Sequence, residues 1–159
     1  RRSPSQTAPR ASAAEAMPPQ KTASRLSSAS QLPPIHVAKG TGCECCSAWV
    51  EHLRSEGFTV TEEELYGMLL INYKLENGIP QRMTSCHTGK IDGYMIEGHV
   101  PAADIRRLLQ ERPDAIGLVV PGMPYGSPGM GDETDRDAYE VFLIARDGTT
   151  SVFTSYPEA

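Results

Sequence analysis

The chain has 159 residues and carries 15 basic against 20 acidic side chains, for a formal net charge of −5. That length suits one domain of ordinary size. No stretch approaches the ~20 apolar residues that a membrane span needs, so the sequence predicts no transmembrane helix.

The first 34 residues differ in composition from the rest of the chain. They contain no aromatic residue, and Ser, Ala and Pro occupy 20 of the 34 positions. Such a segment buries too little apolar surface to offset the entropy lost on ordering, so residues 1–34 are predicted to be a disordered leader or tether. They hold five basic residues and one acidic residue, which leaves 10 basic and 19 acidic residues in the predicted domain, residues 35–159. An acidic domain argues against nucleic-acid binding.

The first half of the domain is predicted to alternate between strands and helices. "IHVAKG" (35–40) and "FTVT" (58–61) have the length and pattern of short strands. Between them, a helix that Gly57 ends is predicted from apolar residues at i, i+3, i+4 and i+7, namely Cys46, Trp49, Val50 and Leu53.

A second helix is predicted after the second strand. Thr61 and Glu64 have the spacing of a capping box, and Gly78 is expected to end the helix. The apolar face of this helix is predicted to contain Leu65, Met68, Leu69 and Tyr73.

The second half of the domain contains two predicted hairpins. "RMTSCHT" (82–88) and "YMIEGHV" (94–100) flank a Gly/Asp-rich turn, and "YEVFLIARDGTTSVFTSY" alternates around Asp147-Gly148. Between the hairpins, the sequence predicts a short strand, "IGLVV", and a Gly/Pro loop. It also predicts a third helix that starts at Pro101, is ended by Pro113 and buries Ile105, Leu108 and Leu109.

The predicted element order is β-α-β-α-β-β-α followed by a C-terminal hairpin. This is the order of a thioredoxin-like α/β domain, with cysteines at the start of its first helix. Pro80 stands before the third predicted strand, where that architecture usually has a cis-proline, so a cis bond is expected there.

Three of the four cysteines lie within four positions of "GCECCSAW". Cys43 and Cys46 have C-x-x-C spacing, and Cys45 lies between them. At a helix start, free N–H groups and the helix dipole stabilise a thiolate. Such stabilisation favours both nucleophilic attack and metal binding, so the segment is a candidate site for either chemistry.

Two other roles stay open for these cysteines. The first is a disulfide staple. Oxidised protein is expected to pair Cys86 with one member of the triplet, because a bond between the neighbours Cys45 and Cys46 would be strained. The second is a structural zinc site, which usually recruits two separated pairs of ligands. A triplet and a single cysteine are better suited to bridging several soft ions.

The histidines near the cysteines have different predicted roles. Cys86 and His87 both fall in the predicted third strand, so His87 is expected to face away from the thiols if Cys86 faces them. His99 lies at the end of the same hairpin and is a candidate ligand. His52 lies roughly 10 Å along the helix from Cys45, at ~1.5 Å per residue, and is predicted to be a surface residue.

Two methionines lie in the loop "PGMPYGSPGM", where there is little core to fill. A thioether is a soft ligand that favours Cu(I) over hard ions. Met123 is the stronger candidate ligand, whereas Met130 fits packing under the loop equally well. Three others are predicted to be packing residues on helix or strand faces: Met68, Met83 and Met95.

Four segments together resemble one family. "GCECCSAW", "SCHTG", "GYMIEGHVPAADI" and "GLVVPGMPYGSPGM" are similar, in order and spacing, to the small periplasmic copper-resistance proteins of the CopG type. The resemblance covers about Ile35 to Ile144. It implies a thioredoxin-like fold, a bacterial periplasmic setting, copper binding through the C-x-C-C motif and a role in copper tolerance.

The resemblance also implies a set of copper ligands. The residues that carry over are Cys43, Cys45, Cys46 and Cys86, with His99 and Met123 as further ligands. The implied cargo is Cu(I), as one ion or several, and the implied partners are copper ions and other periplasmic copper-handling proteins.

Three functions stay open on the sequence alone. The first is a copper-binding protein that sequesters, delivers or changes the oxidation state of copper. The second is a thioredoxin-like thiol–disulfide oxidoreductase that uses Cys43 and Cys46, and the third is a disulfide-stapled binding module. The sequence leaves open whether copper turns over chemically or is only held, and therefore whether the protein is an enzyme.

Overall fold

The computed structural model describes residues 31–159, which form a mixed α/β domain of seven strands and three helices. The predicted leader lies outside the described residues except for its last four positions, where Leu32 packs against the core. Among the described helices, none combines the length and the apolar character that crossing a membrane requires.

The helices and strands follow one another along the chain in the predicted order. The first half contains β1 (Ile35–Lys39), α1 (Glu44–Ser55), β2 (Val60–Glu64) and α2 (Met68–Glu76). The second half contains β3 (His87–Ile91), β4 (Tyr94–Glu97), α3 (Ala102–Glu111), β5 (Gly117–Val119), β6 (Tyr139–Ile144) and β7 (Thr150–Tyr156).

All seven strands belong to one sheet, in the order β2-β1-β3-β4-β5-β6-β7. The β1–β2 and β4–β5 pairs are parallel, and the other four pairs are antiparallel. Both predicted hairpins form, as β3–β4 and β6–β7. The pairing of β3 with β1 brings the segment before β3 to the end of the sheet where α1 begins.

The predicted buried face of α1 is confirmed, since Cys46, Trp49, Val50 and Leu53 are all buried. The indole of Trp49 also has a polar partner, because its Nε1–H donates to the carbonyl oxygen of Val100 at 2.8 Å. Burying a large apolar side chain contributes about 1.5–3 kcal/mol. The apolar face of α1 therefore fixes the helix on the sheet and sets the position of the cysteines at its start.

The start of α2 differs from the prediction. Thr61 and Glu64 do not form a capping box, because both lie in β2, whose parallel pairing with β1 extends to Glu64. The helix begins after Gly67, whose φ of 49° is in the region that favours glycine.

The predicted apolar face of α2 is correct only in part, since Tyr73 is half-buried and packs against the core. Met68 and Leu69 are 64% and 61% exposed, so neither is a packing residue, and the buried residue of the helix is Lys74. The reason is an ion pair, since Lys74 Nζ lies 2.6 Å from Oε2 of the fully buried Glu97. A buried charge requires its partner, and this requirement outweighs the apolar periodicity in deciding which face turns inward.

The third strand is shorter than predicted and begins only at His87. Residues Gln81–Met83 form a 3-10 turn, and Cys86 lies in a bend before the strand. The expected cis bond at Pro80 is wrong, because residues 31–159 contain no cis peptide bond. Pro80 instead precedes the 3-10 turn, and its carbonyl oxygen accepts a hydrogen bond from Met83 N.

Candidate metal centre

Cys43 is the residue that caps the start of α1. The backbone turns at Gly42, whose φ is 72°, and Cys43 then adopts the extended conformation of an N-cap. Its Sγ accepts a hydrogen bond from Cys46 N at 3.3 Å. The sulfur therefore satisfies one of the N–H groups that a helix start leaves without a partner.

Cys43 and Cys46 form a disulfide, with Cα atoms 5.3 Å apart. The expected pairing of Cys86 with the triplet is therefore wrong, and Cys45 and Cys86 are free thiols. The first turn of α1 already places Cys43 and Cys46 within the Cα separation that a disulfide needs. Cys86, by contrast, comes from a different part of the chain, and its Sγ lies 3.9 Å from that of Cys45.

The structure brings all four cysteines together. Their Sγ atoms lie within 4.8 Å of one another, and Cys45 Sγ is 3.5 Å from Cys43 Sγ. Cys46 is buried and the other three are half-buried, so the cluster is partly accessible to solvent.

Two imidazoles contact the thiol of Cys86. His99 Nε2 lies 3.1 Å from Cys86 Sγ, and His87 Nδ1 lies 3.4 Å from the same sulfur. The prediction that His87 faces away is therefore wrong. Because Cys86 precedes β3, the alternation of side chains along a strand does not apply to this pair, and the two side chains meet on the same side.

Backbone carbonyls determine the tautomers of both histidines. His87 Nε2 lies 2.7 Å from Gly98 O, and His99 Nδ1 lies 2.7 Å from Pro128 O. A carbonyl oxygen only accepts hydrogen bonds, so each of these nitrogens carries the proton. The other nitrogen of each ring therefore directs a lone pair at Cys86 Sγ, and one thiol proton can serve only one of them.

Burial keeps this group of side chains neutral. It raises the pKa of the Cys86 thiol to about 11, with a further contribution from Cys45. Burial also holds the pKa of His87 well below its usual range, helped by His99, and lowers the pKa of His99. In the absence of a cation, the site therefore holds neutral donors whose lone pairs converge, and a bound cation would favour the thiolate.

The two candidate methionines belong to one loop that borders the cysteine-bearing segments. Ser85 Oγ donates to Gly122 O at 2.7 Å, which ties the loop that carries Met123 to the residue before Cys86, although Met123 is 55% exposed. Met130 borders a surface cleft that Cys45 also lines. This loop therefore contacts the segment that carries Cys86, and it shares a cleft with Cys45.

Gly129 shows why this loop packs so closely on α1. A Cβ atom at Gly129 would lie 2.8 Å from Trp49 N and 3.0 Å from Cys45 O, and its φ of 88° is in the region that favours glycine. A larger residue would therefore push the loop away from the thiols.

His52 is half-buried and is not the surface residue that was predicted. Its Nε2 accepts a hydrogen bond from Ala102 N at 3.1 Å. Pro101, the N-cap residue of α3, makes no side-chain cap bond. The imidazole of α1 therefore caps the first turn of α3.

Comparisons with known proteins agree with this site. The family described as "protein of unknown function, DUF411" matches residues 83–130, a range that contains Cys86, His87, His99 and both candidate methionines. A solved structure titled "Copper resistance protein copG- Form 1" is 46% identical, covers 80% of this chain and 99% of its own, and has a TM-score of 0.74. The chain belongs to the CopG copper-resistance family.

A second solved structure, "Copper resistance protein copG- Form 2", is also 46% identical and has a TM-score of 0.73. It covers 80% of this chain and 100% of its own, so membership of the CopG family rests on a match along the whole length of these relatives. No curated protein sequence matches the chain.

The donor atoms suit the metal that gives the CopG family its name. Once the disulfide is reduced, four cysteine sulfurs and two imidazole nitrogens are soft or borderline ligands, which bind Cu(I) or Zn(II) in preference to Mg(II) or Ca(II). Each imidazole already donates its single N–H to a carbonyl oxygen, the arrangement that orients metal-bound histidines.

His87 is the one residue of this group that was absent from the predicted ligands, since it was expected to face away from the thiols. The signal in the sequence was the adjacent Cys86-His87 pair itself, because two potential ligands next to each other can meet wherever the first of them lies outside a strand.

Proposed function

We propose that this protein binds Cu(I) in the bacterial periplasm, through the C-x-C-C cysteines and Cys86, and that it serves copper tolerance. The observation that carries the proposal is the convergence of sulfur and imidazole donors on Cys86. The CopG family name supports copper as the cargo. His99 and Met123 are proposed as further ligands, and the geometry adds His87 to them.

We infer that the domain is thioredoxin-like. The four neighbouring strands β2-β1-β3-β4 form one side of the sheet, with β2 at its edge, β1 parallel to β2 and β1 antiparallel to β3. The C-x-x-C pair sits at the N-terminus of the helix that follows β1, where a thioredoxin-like redox pair is expected.

Thiol redox state controls how many ligands the site offers. A disulfide sulfur is not a thiolate, so only Cys45 and Cys86 are available while Cys43 and Cys46 are bonded. Two electrons and two protons from a dithiol reductant convert that disulfide to two thiols. The reduced protein therefore holds four thiols, enough for more than one Cu(I) ion, and passes copper to or from other periplasmic copper-handling proteins.

The test is a competition titration of the fully reduced protein. It is expected to take Cu(I) from a strong chromophoric chelator and to prefer Cu(I) to Zn(II), because thiolates and thioethers are soft. The matched control replaces all four cysteines by serine and keeps the fold, as checked by circular dichroism. Tighter binding of Zn(II) than of Cu(I), or equal copper binding by the serine variant, would contradict the proposal.

The disulfide favours a second candidate, a thiol–disulfide oxidoreductase. Cys43 and Cys46 are bonded across the first turn of α1, beside the half-exposed Cys45. An insulin-reduction assay in the presence of dithiothreitol separates the candidates. Turnover by the metal-free protein that is lost in Cys43→Ser would support the oxidoreductase, whereas copper binding without turnover would support the copper carrier.

A further inference from the structure

A buried ion pair connects helix α2 to the sheet. Lys74, which is 3% exposed, places Nζ 2.6 Å from Glu97 Oε2 and 2.9 Å from Thr88 Oγ1. The Thr88 hydroxyl in turn donates to Glu97 Oε1 at 2.5 Å. Both oxygens of the fully buried Glu97 therefore have partners, and the pair carries no net charge.

The carboxylate of Glu97 makes one further contact, with the residue that precedes Cys86 of the candidate metal centre. Ser85 N donates to Glu97 Oε2 at 2.7 Å, and Ser85 Oγ donates to Gly122 O. Ser85 directly precedes Cys86, and Cys86 lies in a bend before the first residue of β3. The regular ladder of the sheet begins after Cys86, so the bond from Ser85 N to Glu97 ties this part of the backbone to β4.

A buried ion pair contributes little net stability to a fold. Two charges removed from water lose their hydration, and their mutual attraction often does no more than offset that loss. Replacing such a pair by apolar residues commonly leaves stability unchanged or raises it. A directed acceptor that holds one peptide N–H in place is something that an apolar replacement cannot supply.

We propose that the Lys74–Glu97 pair is a positioning device for Cys86. Lys74 orients the carboxylate of Glu97, and this carboxylate accepts a hydrogen bond from Ser85 N. The bond fixes the backbone before Cys86 and thereby sets the distance between Cys86 Sγ and Cys45 Sγ. The inference rests on the proposed function in treating Cys86 as a ligand, although its first test requires no copper.

Two double variants distinguish the effect of the hydrogen-bond acceptor for Ser85 N from the effect of the Lys74 and Glu97 charges. Lys74→Met with Glu97→Leu removes the ion pair and the acceptor for Ser85 N. Lys74→Met with Glu97→Gln removes the charges and keeps a carbonyl oxygen that can accept that bond. Neither double variant leaves a buried charge without its partner. Both are made in a Cys43→Ser/Cys46→Ser background, so that Cys45 and Cys86 are the remaining cysteines.

The measurement is the effective molarity of the Cys45–Cys86 disulfide against glutathione, read by mass spectrometry in a defined redox buffer. Because effective molarity depends steeply on geometry, it is expected to fall about tenfold or more in the Leu variant and to stay within about threefold in the Gln variant. A residue with a merely structural role would change the melting temperature and leave this ratio unaltered. An unchanged ratio in the Leu variant, or an equal loss in both variants, overturns the proposal.

Glu97→Asp decides the case if the Leu variant fails to fold. The aspartate keeps the negative charge, and the flexible Lys74 side chain can still reach it. Because aspartate is one methylene shorter, its carboxylate lies farther from Ser85 N. A lower effective molarity supports the positioning role, and an unchanged one overturns it.

Copper titration of the same variants, with all four cysteines present, distinguishes this inference from the proposed function. If the parent protein binds Cu(I), the Leu variant is expected to bind it more weakly than the Gln variant, and equal affinities overturn the proposal. If the parent binds no copper but the disulfide measurement shows the expected loss, the proposed function fails and the positioning of Cys86 stands.

Discussion

The imidazole of His87 lies against the indole of Trp49, with ring centroids 4.2 Å apart and planes inclined by 25°. The stack holds the His87 ring so that Nδ1 is directed at Cys86 and the Nε2–H at Gly98 O. A buried core aromatic therefore orients a candidate ligand.

His87→Phe is expected to weaken copper binding and stability together. The substitution keeps an aromatic ring against Trp49, removes the lone pair directed at Cys86 and leaves Gly98 O without its donor. Loss of the hydrogen-bond donor to a buried carbonyl lowers the free energy of unfolding by about 1–3 kcal/mol. Disturbing a histidine at a metal site lowers affinity about tenfold or more. Both quantities are measured, by urea unfolding and by Cu(I) competition.

Trp49→Phe is the control for that experiment. It removes the indole N–H that donates to Val100 O and reduces the core volume, so a comparable loss of stability is expected. Both nitrogens of His87 remain in this variant. Copper affinity that stays at the parent level in His87→Phe would show that His87 contributes to the fold and not to the metal site.

The metal-free, oxidised protein is expected to contain two free thiols. Alkylation of the denatured protein without reductant should label Cys45 and Cys86. After reduction, two further thiols, Cys43 and Cys46, should become available for alkylation. In the native protein Cys86 should react slowly, because burial raises its pKa to about 11 and the thiolate is the reactive form. Peptide mapping that finds Cys86 in the disulfide would contradict this pairing.

Met123→Leu and Met130→Leu form a matched pair. Leucine conserves volume, so each variant is expected to cost less than about 1.5 kcal/mol of stability. The proposed ligand role of Met123 predicts weaker Cu(I) binding in its variant, with the melting temperature nearly unchanged because the side chain is 55% exposed. Unchanged binding there, with a loss in Met130→Leu, would assign the thioether to the residue that shares a cleft with Cys45.

His52 is expected to make the domain less stable in mild acid. Burial lowers its pKa, although Glu56 and Glu133 oppose the shift, and its Nε2 accepts from Ala102 N only when neutral. The unfolded chain binds the proton at a higher pH than the folded one. The stability that neutral His52 contributes is therefore present above pH ~6.5 and is lost as the pH falls through the folded-state pKa.

His52→Gln tests this pH dependence. The glutamine carbonyl can still accept from Ala102 N and does not titrate, so unfolding midpoints measured between pH ~7.5 and ~5 should change less than in the parent. His87 and His99, whose pKa values are also lowered, account for the part of the dependence that remains. An identical pH profile in the variant would contradict the capping role of His52.

The sequence by itself determined the elements that follow from local pattern. The apolar spacing of α1, the glycine turns and the alternation of the two hairpins depend on neighbours within a few residues, so they could be read without the fold. The cysteine triplet at the start of α1 is local in the same sense, and its position next to Trp49 was predictable.

Only the tertiary structure decided the rest. The face of α2 depends on Glu97, a partner 23 residues away that neutralises Lys74, and apolar periodicity contains no information about such a pair. The direction of His87 depends on where β3 begins, because alternation holds only inside a paired strand. The Cys43–Cys46 bond is compatible with local helix geometry, but the approach of Cys86 Sγ to 3.9 Å from Cys45 Sγ joins separate segments and is set when α1 packs on the sheet and β3 pairs with β1.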